Sequence, residues 1–201
     1  MSESTRVSAA ALQALGRRVT VPSYDRSRVT PRIVHFGVGG FHRAHQAVYA
    51  DDLLAGEIGD WGIAGAGVLK RDAAMRDALS AQDYLYTVVE QSPEAHLARV
   101  IGSIVDYRFA PDDPDGLLAL LENPDIAVVS LTVTEGGSHY DFGRRTLRED
   151  DPAIDADRLG QSPPATWIGY VVRALSARRE RGIPPFTVLS CDNIPQNGTV
   201  A

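Results

Sequence analysis

Apolar and polar positions along the 201-residue chain switch repeatedly between a two-residue and a 3.6-residue period, the signatures of strands and helices. RIVHF (32–36) is a short β-rich run ending at glycines, and FHRAHQAVYADDLLAG (41–56) follows with helical spacing. On that helix Ala44, Ala47, Val48 and Leu54 share a stripe, and Gly56 suits a left-handed C-terminal position. WGIAGAGVL (61–69) predicts a second strand and RDAAMRDALSA (71–81) a second helix. DYLYTVVEQ (83–91) and HLARVIGSIVDYRF (96–109) predict a pair of strands joined by SPEA. DPDGLLALLENP (113–124) predicts a short helix stopped before Pro124. DIAVVSLTVT (125–134) is apolar and β-branched with little alternation, as expected of a strand covered on both faces.

Residues 135–162 form the longest stretch without a regular pattern. The next helix is predicted to be capped by Ser162 with Pro163 in its first turn. Trp167, Ile168, Val171, Val172 and Leu175 fill one face, and Arg178, Arg179 and Arg181 complement its C-terminal dipole before Gly182. PFTVLSC (185–191) predicts a final buried strand, which DNIPQNGTVA leaves. Residues 1–30 are polar and read as an N-terminal arm with at most one short helix, and 31–201 as one domain. Strands alternating with helices imply an α/β fold with a mostly parallel sheet.

Bulk properties narrow the function. Net charge is −6, which argues against nucleic acid, because phosphate contacts demand a basic face. No apolar run approaches the roughly 20 residues of a membrane span, and the N-terminus lacks the apolar core of a secretory signal. A single cysteine, Cys191, excludes an internal disulfide and fits a reducing cytoplasm. It follows a predicted buried strand and reads as an inert thiol.

Gly37, Gly39 and Gly40 follow a strand and open a helix, the context that makes a glycine pattern informative. Gly37 permits a tight turn, and Gly39 removes a side chain where a pyrophosphate would approach the backbone at a helix N-terminus. The third glycine of G-x-G-x-x-G would fall at 42, where His42 stands instead. A plain glycine-rich connection is the alternative. The acid that holds a ribose after the second strand would be Asp72, at 72 − 37 = 35 residues from the first glycine, against the usual ~20. Asp72 could equally cap the next helix. Lys70 and Arg71 beside it could accept a 2′-phosphate, so both NAD and NADP stay open, with NAD favoured if Asp72 points into the site.

IVHFGVGGFHRAHQAVYADDLL, AQDYLYTVVE, SLTVTEGG and SCDNIPQNG, with YDRS upstream, resemble in order the N-terminal half of the polyol-specific long-chain dehydrogenases and reductases. That family acts on polyols such as mannitol and on sugar acids such as fructuronate and tagaturonate, and a histidine at position 42 is its normal form of the turn. The resemblance implies a Rossmann-type doubly wound sheet with helices on both faces, binding NAD(H) or NADP(H). It places Phe36, Gly37, Val38, Gly39, Gly40, Phe41, His42, Arg43, Asp72, Thr134 and Glu135 at the cofactor.

Oxidising a secondary alcohol needs a hydride acceptor, a base and donors for the developing alkoxide. The resemblance makes Asn193, just past a predicted strand end, the oxyanion donor; on residues alone, Asp192 and Asn193 read as a turn. Asn197–Gly198 closes the same motif, with a structural role open. Glu135 could tune the nicotinamide pocket or cap the turn. His42 and His45 raise a metal reading that no convergent ligand set supports, and the acidic run REDDPAIDAD reads as a solvated loop. The family's base is a lysine in K-x-x-x-x-N-x-x-H within a helical C-terminal domain. The one lysine here is Lys70, outside any such pattern. The expectation is therefore the N-terminal part of a longer enzyme, or a truncated frame, with a C-terminal domain docking on it. A dinucleotide-binding module without catalysis is the competing class, and a methyltransferase is weaker because FHRAHQ and SCDN have no role there.

Overall fold

The computed structural model describes residues 6–93, 95–160 and 162–200, with the side chains of residues 135 and 136 outside that description. A short helix, α1 (Leu12–Leu15), precedes β1 (Pro31–Phe36), α2 (Gly40–Ala44), α3 (Gln46–Ala55), β2 (Gly62–Gly67) and α4 (Ala73–Ser80). Then come β3 (Tyr86–Gln91), β4 (His96–Ile101), β5 (Ile104–Phe109), α5 (Pro114–Glu122) and β6 (Val128–Leu131). The chain continues through α6 (Thr134–Gly137), β7 (Tyr140–Asp141), β8 (Thr146–Leu147), α7 (Pro152–Arg158), α8 (Trp167–Glu180), β9 (Thr187–Ser190) and α9 (Asn197–Val200).

Five strands form an all-parallel sheet in the order β5-β2-β1-β6-β9. The chain winds outward through β1, β2 and β5, then returns to lay β6 and β9 on the other side of β1. Winding therefore reverses between β1 and β6, the place where such sheets open a crevice at their carboxyl ends. Alternation along β1 serves two cores. Ile33 packs with α3, α4 and the β3–β4 hairpin. Val34 and Phe36 pack on the other face with Leu117 and Leu121 of α5 and Tyr170 and Ala174 of α8. This is the doubly wound Rossmann-type sheet that the alternation implies.

Several local expectations are corrected. The stretch 96–109 is two strands, broken at Gly102 and Ser103: β4 pairs antiparallel with β3, and β5 joins the main sheet. Buried Asp51 holds the break, accepting from Gly102 N at 2.8 Å, Tyr24 Oη at 2.5 Å and Arg99 Nη2 at 2.6 Å. Arg26 donates to the Gly102 carbonyl at 2.9 Å, so YDRS packs over this corner. A Cβ at Gly102 would lie 2.7 Å from Pro22 Cγ. In the predicted joint of β3 and β4, residue 94 lies outside the described residues.

The helix predicted over 41–56 breaks at His45, and Glu57 rather than Gly56 takes the left-handed conformation, at φ 56°. The stretch predicted irregular holds α6, the β7–β8 pair and α7, and α8 is capped by Thr166, not Ser162. Asp157 fixes that cap by accepting from Thr166 N and Oγ1. Val172 is exposed on α8, its face toward the sheet being Trp167, Tyr170, Val171 and Ala174. β9 is half exposed rather than buried, because it is the outermost strand of its side.

Arg178 does not serve its own helix dipole. Its guanidinium is buried and donates to the carbonyls of Leu121, Asn123, Ile126 and Pro184 at 2.7–3.2 Å. It satisfies the C-terminal end of α5 and joins α8 to the entry of β9. Arg178→Ala removes the guanidinium donors from those carbonyls, of which, among the described residues, Asn123 O alone keeps a backbone partner, Ile126 N. The substitution is expected to lower the unfolding free energy by about 3–5 kcal/mol, measured by urea titration.

Candidate functional site

The chain leaves β1 at Phe36 and reverses through Gly37 to Gly39 before α2. Gly37 sits at φ +89°, and a Cβ there would lie 2.1 Å from the Thr132 carbonyl oxygen beyond β6. Thr132 N donates to Phe36 O at 2.9 Å, and Thr132 Oγ1 donates to Gly37 O at 2.6 Å. The back of the turn is thus closed on the exit of β6. Its front is open. A Cβ at 39 would meet only Gly37 O, at 3.8 Å, and one at 40 would meet nothing within 4 Å. No side chain caps α2, so its first amides lack an internal acceptor.

His42, in the place of a third glycine, is buried and stacks flat on His35 of β1, with ring centroids 3.5 Å apart and planes 15° apart. A flat ring pair takes the place of the close helix–strand contact that glycine would allow. His35 Nε2 lies 2.8 Å from Thr132 Oγ1, whose own proton goes to Gly37 O, and His35 Nδ1 meets Ser130 Oγ at 2.7 Å. Gln46 Oε1 lies 3.0 Å from both His42 Nδ1 and Ser130 Oγ. Burial pulls the His42 pKa down to about 4, aided by Arg43 and opposed by Gln46. Burial, then the neighbouring His42, holds His35 well below its usual value, so both rings are neutral near pH 7. His42 and His45 do not converge: His45 is exposed and its Nδ1 meets Phe41 O at 2.8 Å. No cluster of three metal-ligating side chains occurs among the described residues.

A cleft of about 470 Å³ runs along the carboxyl edge from Leu69, Arg71 and Asp72 past Gly37 and Gly39 to Thr134, His139 and Trp167. A larger groove of about 610 Å³, bordered by α7 and α8, lies off that edge and is walled by side chains such as Ile168 and Val172. The strand-end cleft is the candidate site, because it gathers the open turn and the exits of β1, β2 and β6. Asp72 lines it and also accepts from Leu69 N at 2.9 Å, folding the turn before α4. Arg71 lines it too, whereas Lys70 is exposed outside the lining.

Phe36 and Val38 border the cleft, but their side chains are buried in the two opposite cores. Phe41 is exposed and stacks on His45 at 4.4 Å. Arg43 Nε donates to Gly39 O at 3.2 Å, and its guanidinium sits 5.8 Å from the Tyr86 ring centre. Thr134 takes φ 65°, and its amide donates to Asp192 Oδ1 at 2.8 Å, tying the exits of β6 and β9. Asn193 is exposed next to that tie. Asn197 Nδ2 donates to Ser190 O at 2.9 Å, a structural bond. The side chain of Glu135 lies outside the described residues. Burial and the Asp192 charge push the Cys191 thiol up, against a nucleophilic role.

Sequence reasoning missed His35, Thr132 and the His139–Asp151 pair, and read Asp192 only as part of a turn. The one available signal was a histidine interrupting the apolar run of β1. REDDPAIDAD is not merely a solvated loop: Asp151 caps α7 and meets His139, and Asp157 holds the start of α8.

A doubly wound sheet with an open glycine turn at its switch point defines a Rossmann-type nucleotide-binding domain. The family described as the mannitol dehydrogenase Rossmann domain matches residues 31–201, and the chain belongs to that family. Mannitol 2-dehydrogenase of Cereibacter sphaeroides is 52% identical over 185 residues, covering 92% of this chain and 39% of that protein. That of Pyricularia oryzae is 46% identical over 92% of this chain and 37% of its own length. The Pseudomonas fluorescens mannitol 2-dehydrogenase, solved as a ternary complex with NAD and D-mannitol, superposes with a TM-score of 0.92 at 43% identity, over 98% of this chain and 40% of that one. A substrate-free D-sorbitol dehydrogenase gives a TM-score of 0.90 at 39% identity, over 97% of this chain and 41% of that one. The chain spans about two fifths of the length of these relatives.

The stacked histidines generate a pH dependence of stability. Unfolded histidine takes up a proton near pH 6.5, whereas folded His42 resists protonation until about pH 4. Stability is therefore complete above about pH 6.5 and declines as pH falls through the window between those values, by about 2–4 kcal/mol for His42. Urea titrations across this range should show the loss, and His42→Gln should remove the His42 share of it while buried His35 retains its own.

Proposed function

We propose that the chain is the cofactor-binding part of an NAD-dependent oxidoreductase that moves a hydride between the nicotinamide and a secondary alcohol of a polyol, of the mannitol-to-fructose type. The observation that carries the reading is the open front of the turn at Gly39 and Gly40, facing away from the contacts that fix its back. The residues fit the group: that cradle is one a Cβ would fill, and the unpaired first amides of α2 suit a diphosphate. Bound there, the dinucleotide supplies the hydride acceptor. Asp72 would hold the hydroxyls of the first ribose, favouring NAD, while Arg71 in the same wall keeps NADP as a second reading. Thr134 and Glu135 would border the nicotinamide, and Asn193 would donate to the oxyanion beside them, its amide doing so without a change of charge. A sugar acid in place of the polyol is a second substrate reading, and a cytoplasmic setting suits the single thiol.

The family resemblance puts the general base on a lysine pattern that these 201 residues do not contain. Cofactor binding without efficient turnover is thus the expected behaviour of this chain. Titration with NADH, followed by fluorescence, should saturate, while NADPH should bind more weakly. Gly39→Ala should keep the wild-type unfolding curve, since its Cβ has room, yet weaken NADH by about tenfold or more. Mannitol oxidation by the 201 residues at ordinary enzyme rates, or unchanged NADH affinity in Gly39→Ala, would overturn the reading.

A further inference from the structure

The wall of the cleft beyond β6 contains a histidine that the cofactor reading does not use. His139 follows α6 and lines the cleft beside Gly137 and Trp167. Its Nδ1 lies 2.8 Å from Asp151 Oδ2, with one fifth of the side chain exposed. Asp151 in turn accepts from Ala153 N at 2.9 Å through its other oxygen, as the cap of α7. The imidazole and the Ala153 amide hold the Asp151 carboxyl below its usual range. Arg148 N donates to His139 O at 2.8 Å, and the residue takes φ 53°, so backbone and ring are both fixed. A carboxylate on Nδ1 leaves Nε2 of the neutral ring as an acceptor. Among the described residues no hydrogen bond engages that atom, and the residue that carries it lines the cleft.

Position along the cleft identifies what it would meet. The glycine turn lies between Asp72 at the exit of β2 and His139 beyond β6. A dinucleotide laid along this edge with its diphosphate at the turn has its adenosine on the Asp72 side and its second nucleoside on the His139 side. We propose that His139, oriented by Asp151, accepts a hydrogen bond from the nicotinamide nucleoside, from either a ribose hydroxyl or the carboxamide N–H. The proposal rests on the dinucleotide reading above. In it His139 is a binding residue and Asp151 a positioning residue that fixes which ring nitrogen is the acceptor.

The test compares NADH with ADP, which contains the adenosine and diphosphate but no second nucleoside, on the same 201-residue chain. His139→Ala is expected to weaken NADH about tenfold and to leave ADP unchanged. Asp151→Asn keeps one oxygen to cap α7 but turns an N–H toward Nδ1, which makes Nε2 a donor. It should reproduce most of the NADH loss, again without affecting ADP, and with α7 still folded by circular dichroism. Unchanged NADH affinity in His139→Ala, or equal losses for NADH and ADP, overturns the proposal. NADH loss in His139→Ala with full affinity in Asp151→Asn overturns the positioning role. If the wild-type chain binds neither ligand, the dinucleotide reading itself falls and this proposal with it; ADP binding alone removes only the second-nucleoside half.

Discussion

The contact between Gly37 and the Thr132 backbone organises the candidate site. Two parallel strands leave the sheet side by side, and one of them must turn while the other passes within bonding distance. Only a residue without Cβ fits, because any side chain would enter the Thr132 carbonyl. Once that approach is made, the Thr132 hydroxyl locks the Gly37 carbonyl and the His35 ring locks the hydroxyl. The turn is thus shaped from behind, by groups that need never touch a ligand.

The fold was legible where periodicity and caps agreed. β1, β2, α4, α5 and β6 were readable from runs such as RIVHF and DPDGLLALLENP, since their apolar spacing is set by the faces they bury. The break at Gly102 was not, because it depends on Asp51 and Arg26, which are distant in sequence and meet only after the sheet forms. Arg178 misled for a similar reason: its position near a helix end suggests a dipole partner, while its true partners are carbonyls of other segments. At the site, the glycines announced themselves and the family resemblance explained His42. The ring stack could not be read, because nothing local says that His35 and His42 face each other.

Buried and half-buried charged groups join several irregular segments here. Asp51 ties the YDRS stretch to the β4–β5 corner, Asp157 starts α8, Asp192 ties two strand exits, and Arg178 closes a helix end. Asp157, Asp192 and Arg178 each satisfy two or more backbone groups at once, and Asp51 joins one amide to two side chains, which is how irregular connections can be covered without stranding amides or carbonyls. Asp157 and Asp192 brace the carboxyl edge that carries the cleft, while Asp51 and Arg178 brace the opposite edge, where β5, β6 and β9 begin.

The turn's division into a fixed back and a bare front separates two properties that could have been linked. In the proposed reading the surface offered to a diphosphate is main chain, the same for every nucleotide, and discrimination would fall to side chains at either end of the cleft. Under that reading specificity at one end could drift, by substitution around Asp72 or around His139, without re-forming the part that would grip the shared portion of the ligand.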